Sequence, residues 1–160
     1  MVLLGLGDLG ATKTPGDAVK TLALGSCVAV ILLVPSTRCV GMVHVVLPES
    51  SLDVAKSRLK PGYFADTAIP ALFDCVCRTG GTVSWQDVYV KLAGGANVLR
   101  GTSTLDVGRR NVLAIKKLLW QLGTGAVAED VEGNFSRTVS VSVDSGIVAL
   151  SSPSKGEWTI

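Results

Sequence analysis

The stretch Cys27–Val46 reads CVAVILLVPSTRCVGMVHVV and contains two apolar runs separated by a turn. Val28–Val34 and Val40–Leu47 are rich in β-branched and aliphatic residues, a composition that predicts two strands. Pro35–Arg38 supplies the turn residues that join these strands as a hairpin. Because each run is apolar at successive positions, we expect both strands to lie in a sheet that is covered on both faces.

The register of this hairpin decides whether its two reactive side chains meet. A four-residue loop pairs Val34 with Cys39, which places Cys27 opposite Val46. His44, the one histidine of the chain, is then the diagonal neighbour of Cys27 on the same face. Diagonal Cβ atoms lie about 7–8 Å apart, whereas a shift by one residue places the two side chains on opposite faces.

A cysteine beside a histidine is a candidate nucleophile with its base. The imidazole can take the thiol proton, and the thiolate then attacks an amide or ester carbonyl. Backbone N–H groups around Gly25, Ser26 and Cys27 would stabilise the oxyanion, because glycine lets the chain approach closely. The alternative is that both residues are packed in the core. Spacing leaves the group that orients the imidazole open, and the candidates nearby in sequence are Thr21, Ser26, Asp8 and Glu49.

Two helical patterns accompany these strands. Apolar residues recur at helical spacing after Asp66, a suitable N-cap, and Gly80-Gly81 ends the pattern. The second helix spans about Val107–Leu122 and places Val112, Ile115 and Leu119 on one face. Additional strands are expected at Val88–Leu92, Ala126–Ala128, Arg137–Val143 and Gly146–Leu150, of which the last two form a hairpin.

These elements predict one domain over residues 1–160, of α/β class, with two main helices. We expect mostly antiparallel strands, because adjacent strands are joined by short turns. Hydrophobic residues make up 48% of the chain, which is enough for a well-filled core. The polar residues 151–160 predict a flexible tail.

Composition excludes several classes of function. The chain has 15 Lys and Arg against 13 Asp and Glu, so it lacks the basic surface typical of nucleic-acid binding. Its longest apolar run, Val28–Val34, is far shorter than the about 20 residues that span a bilayer. The N-terminal residues MVLLGLGD do not resemble a signal peptide. We therefore expect a cytoplasmic protein, not inserted in a membrane, whose four cysteines are thiols.

Two motifs that often bind cofactors or metals are predicted to be structural here. Gly5–Gly10 matches G-x-G-x-x-G, but four residues precede it and Pro15 follows, so we predict a turn rather than a dinucleotide site. Cys75 and Cys77 would point to different faces of a helix, and one histidine leaves too few ligands for zinc. We expect no cofactor and no metal.

Short motifs enclose the cysteine–histidine pair: TLALGSCV at Thr21–Val28 and GMVH at Gly41–His44. Further blocks follow in order at Leu47-Pro48, Phe64–Pro70, Gly94–Ala96, Gly108–Asn111, Ala128–Val131 and Gly133–Thr138. Together these blocks cover roughly residues 5–150 and resemble the CheD family of chemoreceptor glutamine deamidases. Glu132 and Ser136 depart from the family pattern, since glycine is frequent at both positions.

The resemblance implies a layered α/β/β sandwich, similar to the catalytic domain of cytotoxic necrotizing factor toxins. It also implies a triad in which Cys27 is the nucleophile, His44 the general base and acid, and Thr21 the group that orients the imidazole. The implied reaction is that of a protein-glutamine glutaminase, which hydrolyses selected glutamines of methyl-accepting chemotaxis receptors to glutamate and ammonia. Glutamyl methyl esters share the same acyl-enzyme route.

The resemblance further implies a protein partner, the CheC phosphatase. The alternative to an enzyme is therefore a non-catalytic module that binds and regulates CheC. The modest size and charge of the chain predict a monomer when it is free of partners.

Overall fold

The computed structural model describes residues 1–99 and 106–160, and this part of the chain forms ten strands and three α-helices. The strands are Val2–Leu4 (β1), Leu9–Thr12 (β2), Ala18–Leu24 (β3), Val28–Val34 (β4), Cys39–Val45 (β5), Tyr89–Gly94 (β6), Ala126–Val131 (β7), Arg137–Ser142 (β8), Val148–Ser152 (β9) and Gly156–Thr159 (β10). The helices are Val54–Leu59 (α1), Ala65–Gly80 (α2) and Val107–Gln121 (α3). The two longer helices, α2 and α3, are the two predicted from the sequence.

The strands form two five-stranded sheets. The first sheet has the order β1-β3-β8-β9-β10, and the second has the order β2-β5-β4-β6-β7. Two pairings are parallel, β1 with β3 and β6 with β7, and the other pairings are antiparallel. The predicted α/β class and the mostly antiparallel pairing are therefore confirmed.

The hairpin of β4 and β5 has the register predicted from its four-residue loop. Val34 pairs with Cys39, and Ala29 pairs with His44. Every residue of both strands is buried, as expected for a sheet covered on both faces. The confirmed register places His44 opposite Ala29, and Cys27, one residue before β4, packs against the buried cluster that contains Ala29.

The two faces of β4 pack against two different parts of the core. Val28, Val30 and Leu32 pack with the buried apolar residues of α2 and α3. Ala29 and Ile31 point to the opposite side and pack with residues of β3, β8 and β9 in the first sheet. The helices, the second sheet and the first sheet thus form three layers, which confirms the α/β/β arrangement. The likeness to the toxin domain stays a prediction.

The beginning of α2 differs from the prediction. Phe64 rather than Asp66 occupies the N-cap position, and it makes no side-chain cap hydrogen bond. Asp66 lies in the first turn, where its carboxylate accepts hydrogen bonds from Ser50 N (2.9 Å) and Ser50 Oγ (2.7 Å). Asp66 therefore binds Ser50, which is 16 residues away in the sequence, instead of the N–H groups at the start of its own helix.

The prediction of a flexible tail over residues 151–160 is wrong. The chain turns after β9 and returns as β10, which pairs antiparallel with β9. Trp158 Nε1 donates to Asp130 Oδ2 (2.7 Å), and Lys91 Nζ donates to the Ile160 O atom (2.6 Å). The polar sequence shows no strand pattern. An edge strand such as β10 needs few apolar residues, because its backbone hydrogen bonds with the neighbouring strand hold it in place.

In the described part of the chain, no helix is long and apolar enough to cross a membrane. All four cysteines are free thiols.

Candidate active site

Thr21 and His44 meet where the two sheets face each other. Because His44 pairs with Ala29, its side chain lies on the face of the second sheet that packs against the first sheet. Thr21 belongs to β3 of the first sheet, and its Oγ1 lies 2.7 Å from His44 Nδ1. Both residues are buried, at 0% and 4% exposure. Of the candidates for an imidazole partner, Thr21 is the one whose side chain contacts the ring.

The hydrogen bonds of Thr21 determine the tautomer of His44. Thr21 Oγ1 also lies 3.0 Å from the Leu4 carbonyl oxygen, which can only accept. The hydroxyl proton is therefore directed to Leu4, and the hydroxyl oxygen accepts from Nδ1–H. It follows that Nε2 carries a free lone pair. Within residues 1–99 and 106–160, this buried Nε2 has no hydrogen-bond partner.

Cys27 directly precedes β4 and is half-buried. It lies two residues before Ala29, the partner of His44, and it packs against the core between the two sheets. Burial raises the pKa of the Cys27 thiol to about 11. At neutral pH the thiol is therefore protonated in the resting protein, and its activation requires proton transfer to a base.

Burial also lowers the pKa of His44 below its ordinary value of 6.5. The Asp8 carboxylate opposes this effect and raises the pKa, whereas the Lys60 ammonium group lowers it further. Asp8 and Lys60 form an ion pair of 2.9 Å between Asp8 Oδ1 and Lys60 Nζ. The imidazole is consequently neutral at neutral pH, which is the form that can accept a proton.

The turn that carries Cys27 is held through its carbonyl groups. Gly25 O accepts from Ala96 N (2.8 Å), and Cys27 O accepts from Gly95 N (2.8 Å). Gly94 has a φ of +110°, and a Cβ there would lie 2.3 Å from Cys27 O. The Gly94-Gly95 step therefore allows the backbone after β6 to lie directly against the turn formed by Gly25, Ser26 and Cys27, here named the nucleophile turn after the predicted role of Cys27.

Asn111 of α3 provides another contact to this turn. Its Nδ2 donates to Ser26 O (3.0 Å) and to Val46 O (2.9 Å), and its side chain is fully buried. The sequence predicted Asn111 only as part of the family block Gly108–Asn111, without a role of its own. A signal was present, because Asn111 lies four residues before Ile115 and so is a polar residue on the buried face of α3.

The Gly5–Gly10 motif is a turn, as predicted, with a backbone hydrogen bond from Asp8 N to Gly5 O (3.0 Å). This turn also supports the histidine, because Gly7 N donates to His44 O (2.9 Å) and His44 N donates to Asp8 O (3.0 Å). Gly7 has a φ of +71° and packs against Tyr63. The motif thus positions the backbone of His44, a role that its sequence did not reveal.

A cavity of about 270 Å³ adjoins the turn that carries Cys27. Gly25, Ser26, Ala96, Asn97 and Gly108 are among the residues that line it. Outside residues 100–105, which the structure does not describe, no three metal-binding side chains form a cluster. Cys75 and Cys77 lie on α2 and remain free thiols.

The chain is similar to several known proteins. A family model described as CheD chemotactic sensory transduction matches residues 46–152. The "Probable chemoreceptor glutamine deamidase CheD" of Syntrophotalea carbinolica is 52% identical over 159 residues, which cover 99% of this chain and 98% of the relative. The "Chemoreceptor glutamine deamidase CheD" of Thermotoga maritima is 36% identical and covers 97% of this chain and 94% of the relative.

Among solved structures, that of the hypothetical protein YfiH of Bacillus licheniformis is similar to this chain. It has a TM-score of 0.47 and 12% identity, and the match covers 79% of this chain and 50% of that one. The family match spans well over half of the chain, and the relatives match nearly all of it. The chain therefore belongs to the CheD family.

Proposed function

We propose that this chain is an enzyme that hydrolyses glutamine side-chain amides of chemoreceptors to glutamate and ammonia. The printed names of its relatives, chemoreceptor glutamine deamidases, provide the substrate class. The observation that supports the chemistry is the chain of contacts from Leu4 O through Thr21 Oγ1 to His44 Nδ1. It leaves Nε2 as an unprotonated base on the face of the second sheet against whose buried residues Cys27 packs.

The first half of the reaction forms a thioester. His44 Nε2 takes the proton of the Cys27 thiol as the sulfur attacks the amide carbon, and the carbonyl oxygen becomes an oxyanion. The Nε2 proton then passes to the amide nitrogen. The C–N bond breaks, ammonia leaves, and the glutamyl group is bound to the sulfur. Because burial raises the pKa of the thiol to about 11, formation of the Cys27 thiolate at neutral pH requires transfer of its proton to His44.

The second half releases the product. Water enters where ammonia left, and Nε2 takes one of its protons as the oxygen attacks the thioester carbon. The C–S bond then breaks, and the Nε2 proton returns to the sulfur. The resulting acid ionises to glutamate. Throughout both halves Thr21 accepts a hydrogen bond from Nδ1, which keeps the ring oriented and stabilises the transient imidazolium. Backbone N–H groups of the turn formed by Gly25, Ser26 and Cys27 stabilise the oxyanion.

The same route accommodates glutamyl methyl esters, with methanol as the leaving group in place of ammonia. A methyl ester is the more reactive acyl donor, so the enzyme should accept it wherever the amide fits. Competition between an amide and an ester form of one receptor fragment measures this preference.

Mass spectrometry of a purified chemoreceptor cytoplasmic fragment tests the proposed deamidation. Wild type should convert specific glutamines to glutamate with release of ammonia, and Cys27→Ala should convert none. Cys39→Ala is the matched control, because Cys39 is a buried thiol on β5 that packs against α2, and it should remain active. Conversion by Cys27→Ala, or none by wild type, contradicts the proposal.

The remaining implications concern partners and location. We propose that CheC binds this chain and that the free protein is a cytoplasmic monomer with a single domain. Size-exclusion chromatography with light scattering, with and without CheC, measures both the mass of the free chain and complex formation. Tight CheC binding without deamidation by wild type would instead support the non-catalytic regulatory module.

A further inference from the structure

We propose that Asn111 is a positioning residue of the deamidase reaction, and that it aims the Cys27 N–H at the oxyanion. This inference rests on the proposed function. It concerns the peptide between Ser26 and Cys27, whose carbonyl group Asn111 binds and whose N–H group belongs to the nucleophile.

The side-chain amide of Asn111 uses both of its N–H bonds on backbone carbonyls. Nδ2 lies 3.0 Å from Ser26 O and 2.9 Å from Val46 O, two atoms that can only accept. The opposite amide orientation would place Oδ1 against both carbonyl oxygens, so the contacts determine the orientation. Oδ1 itself is buried and has no partner in the described parts of the chain.

Asn111 forms hydrogen bonds just beyond the end of the paired strands β4 and β5. The ladder between β4 and β5 ends with Val28 opposite Val45. Ser26 and Val46 lie beyond this last pair, one on the nucleophile turn and the other two residues after His44. The amide from α3 therefore links the segment that carries the nucleophile to the segment that carries the base.

The direction of the Ser26 carbonyl sets the direction of the Cys27 N–H. In a trans peptide these two groups point in opposite directions, and the described chain contains no cis peptide. Since the Ser26 carbonyl points to α3, the Cys27 N–H points away from α3. The Gly25 carbonyl is bound by Ala96 N, so the Ser26 N–H is likewise directed away from Ala96.

Ala96 and α3 form one wall behind the turn. A Cβ on Gly108, in the first turn of α3, would lie 2.5 Å from Gly95 O and 2.6 Å from Ala96 O, so the two segments are in direct contact. The consecutive N–H groups of Ser26 and Cys27 thus face the side opposite this wall. Successive backbone N–H groups with a shared direction form a concave site for an anion. In the described residues neither N–H has a hydrogen-bond partner.

Of the three donors that hold the carbonyls of Gly25, Ser26 and Cys27, Asn111 is the one that uses a side chain. Its substitution therefore releases the Ser26–Cys27 peptide without altering the backbone donors. Misdirection of an oxyanion donor lowers the rate of the chemical step, because the donor acts on charge that develops in the transition state. Substrate binding is affected less.

The experiment compares two reactions of Cys27 in Asn111→Ala and in Asn111→Asp. Deamidation of a chemoreceptor fragment passes through an oxyanion, whereas alkylation of the thiol by iodoacetamide does not. We expect kcat to fall about 10- to 100-fold, less than the about 10²- to 10³-fold loss on complete removal of an oxyanion donor, because the Cys27 N–H is misdirected rather than deleted. KM and the alkylation rate at about pH 9.5 should change by no more than about threefold. Rates are expressed per folded molecule, measured by circular dichroism.

Ile115→Val is the matched control, because Ile115 lies one turn further along α3 and is fully buried in the helix-facing core. It loses a methylene without touching the nucleophile turn, and it should retain kcat. Asn111→Asp preserves the side-chain volume and removes both N–H donors, so it tests the loss of the two hydrogen bonds without a cavity.

Each outcome decides between distinct readings. Unchanged kcat in both Asn111 variants, with only lower stability, would overturn the inference and leave the deamidase intact. Equal losses in deamidation and alkylation would show that Asn111 holds the thiol rather than the oxyanion donor, and would overturn it as well. Absence of deamidation by wild type would overturn the proposed function and this inference with it.

Discussion

Thr21 Oγ1 lies 2.7 Å from His44 Nδ1, and this hydrogen bond connects the two sheets of the sandwich. A residue of the first sheet thereby orients a side chain of the second. The Leu4 carbonyl, from the strand beside Thr21, accepts the hydroxyl proton and so makes the threonine an acceptor for the ring. The geometry of a site between layers depends on how these layers pack.

Replacement of the Thr21 hydroxyl should impair proton transfer. Thr21→Val keeps the shape of the side chain but leaves Nδ1–H without an acceptor, so the ring loses its preferred tautomer. We expect kcat to fall about 10- to 100-fold, part of the about 10²–10⁴-fold that general acid–base catalysis provides. Thr21→Ser retains the hydroxyl and should keep most of the activity. Nitrogen NMR of His44 reads the tautomer directly, and an unchanged tautomer in Thr21→Val contradicts this role.

Acid should destabilise the protein through His44. Burial lowers the pKa of this ring in the folded state, so the unfolded chain binds the proton more readily. The contribution of neutral His44 to the free energy of unfolding is therefore fully present above the ordinary pKa of 6.5, and it declines as the pH falls below that value. Urea midpoints at about pH 7.5 and about pH 5.5 measure the decline. His44→Gln should reduce it, and an equal decline in both proteins would refute the assignment.

Lys60 should affect how kcat/KM declines at low pH. Its ammonium group lowers the pKa of His44, whereas Asp8 raises it. Lys60→Met should raise the His44 pKa and shift the acid limb of kcat/KM to higher pH, because the base must be neutral. Lys56→Met is the control, since Lys56 Nζ lies over the Tyr63 ring at 3.9 Å and does not act on His44. A limb that stays in place in Lys60→Met argues against electrostatic control.

The glycine beside the nucleophile turn should tolerate no side chain. Gly94→Ala would place a methyl group 2.3 Å from Cys27 O, so the turn must move and activity should fall at least about 10-fold. Gly123→Ala is a matched control, because Gly123 also has a positive φ, +76°, but nothing lies within 4 Å of its Cβ position. It should cost about 1–2 kcal/mol in stability and leave kcat unchanged. Urea unfolding measures the backbone strain that both variants share, and kcat measures the effect of the steric clash with Cys27 O that only Gly94→Ala introduces.

The C-terminal strand should contribute to stability. Trp158→Ala removes the hydrogen bond to Asp130, whose carboxylate also binds the buried Arg137 at 2.6 Å. We expect a loss of about 1–3 kcal/mol in the free energy of unfolding. Trp120→Ala, which removes a tryptophan that is 79% exposed on α3, should change stability by no more than about 0.5 kcal/mol. Equal effects of the two substitutions would mean that β10 adds nothing.

Much of the fold follows from local pattern. The β4–β5 hairpin and its register follow from two apolar runs and a four-residue loop, and the bounds of α3 follow from helical periodicity and a following glycine. The start of α2 and the strand β10 did not follow, because the first depends on a contact with Ser50 and the second on pairing with β9. Local sequence patterns do not show which residues will come into contact in the folded chain.

The candidate site divides in the same way. The sequence by itself determined the register that pairs His44 with Ala29, two residues after Cys27, because the loop length sets the register of paired strands. Which residue contacts the imidazole, which tautomer the ring adopts and how the nucleophile turn is held were decided only by the tertiary structure. Leu4, Thr21 and Asn111 reach the site from other strands and from a helix, and their distances depend on the packing of three layers.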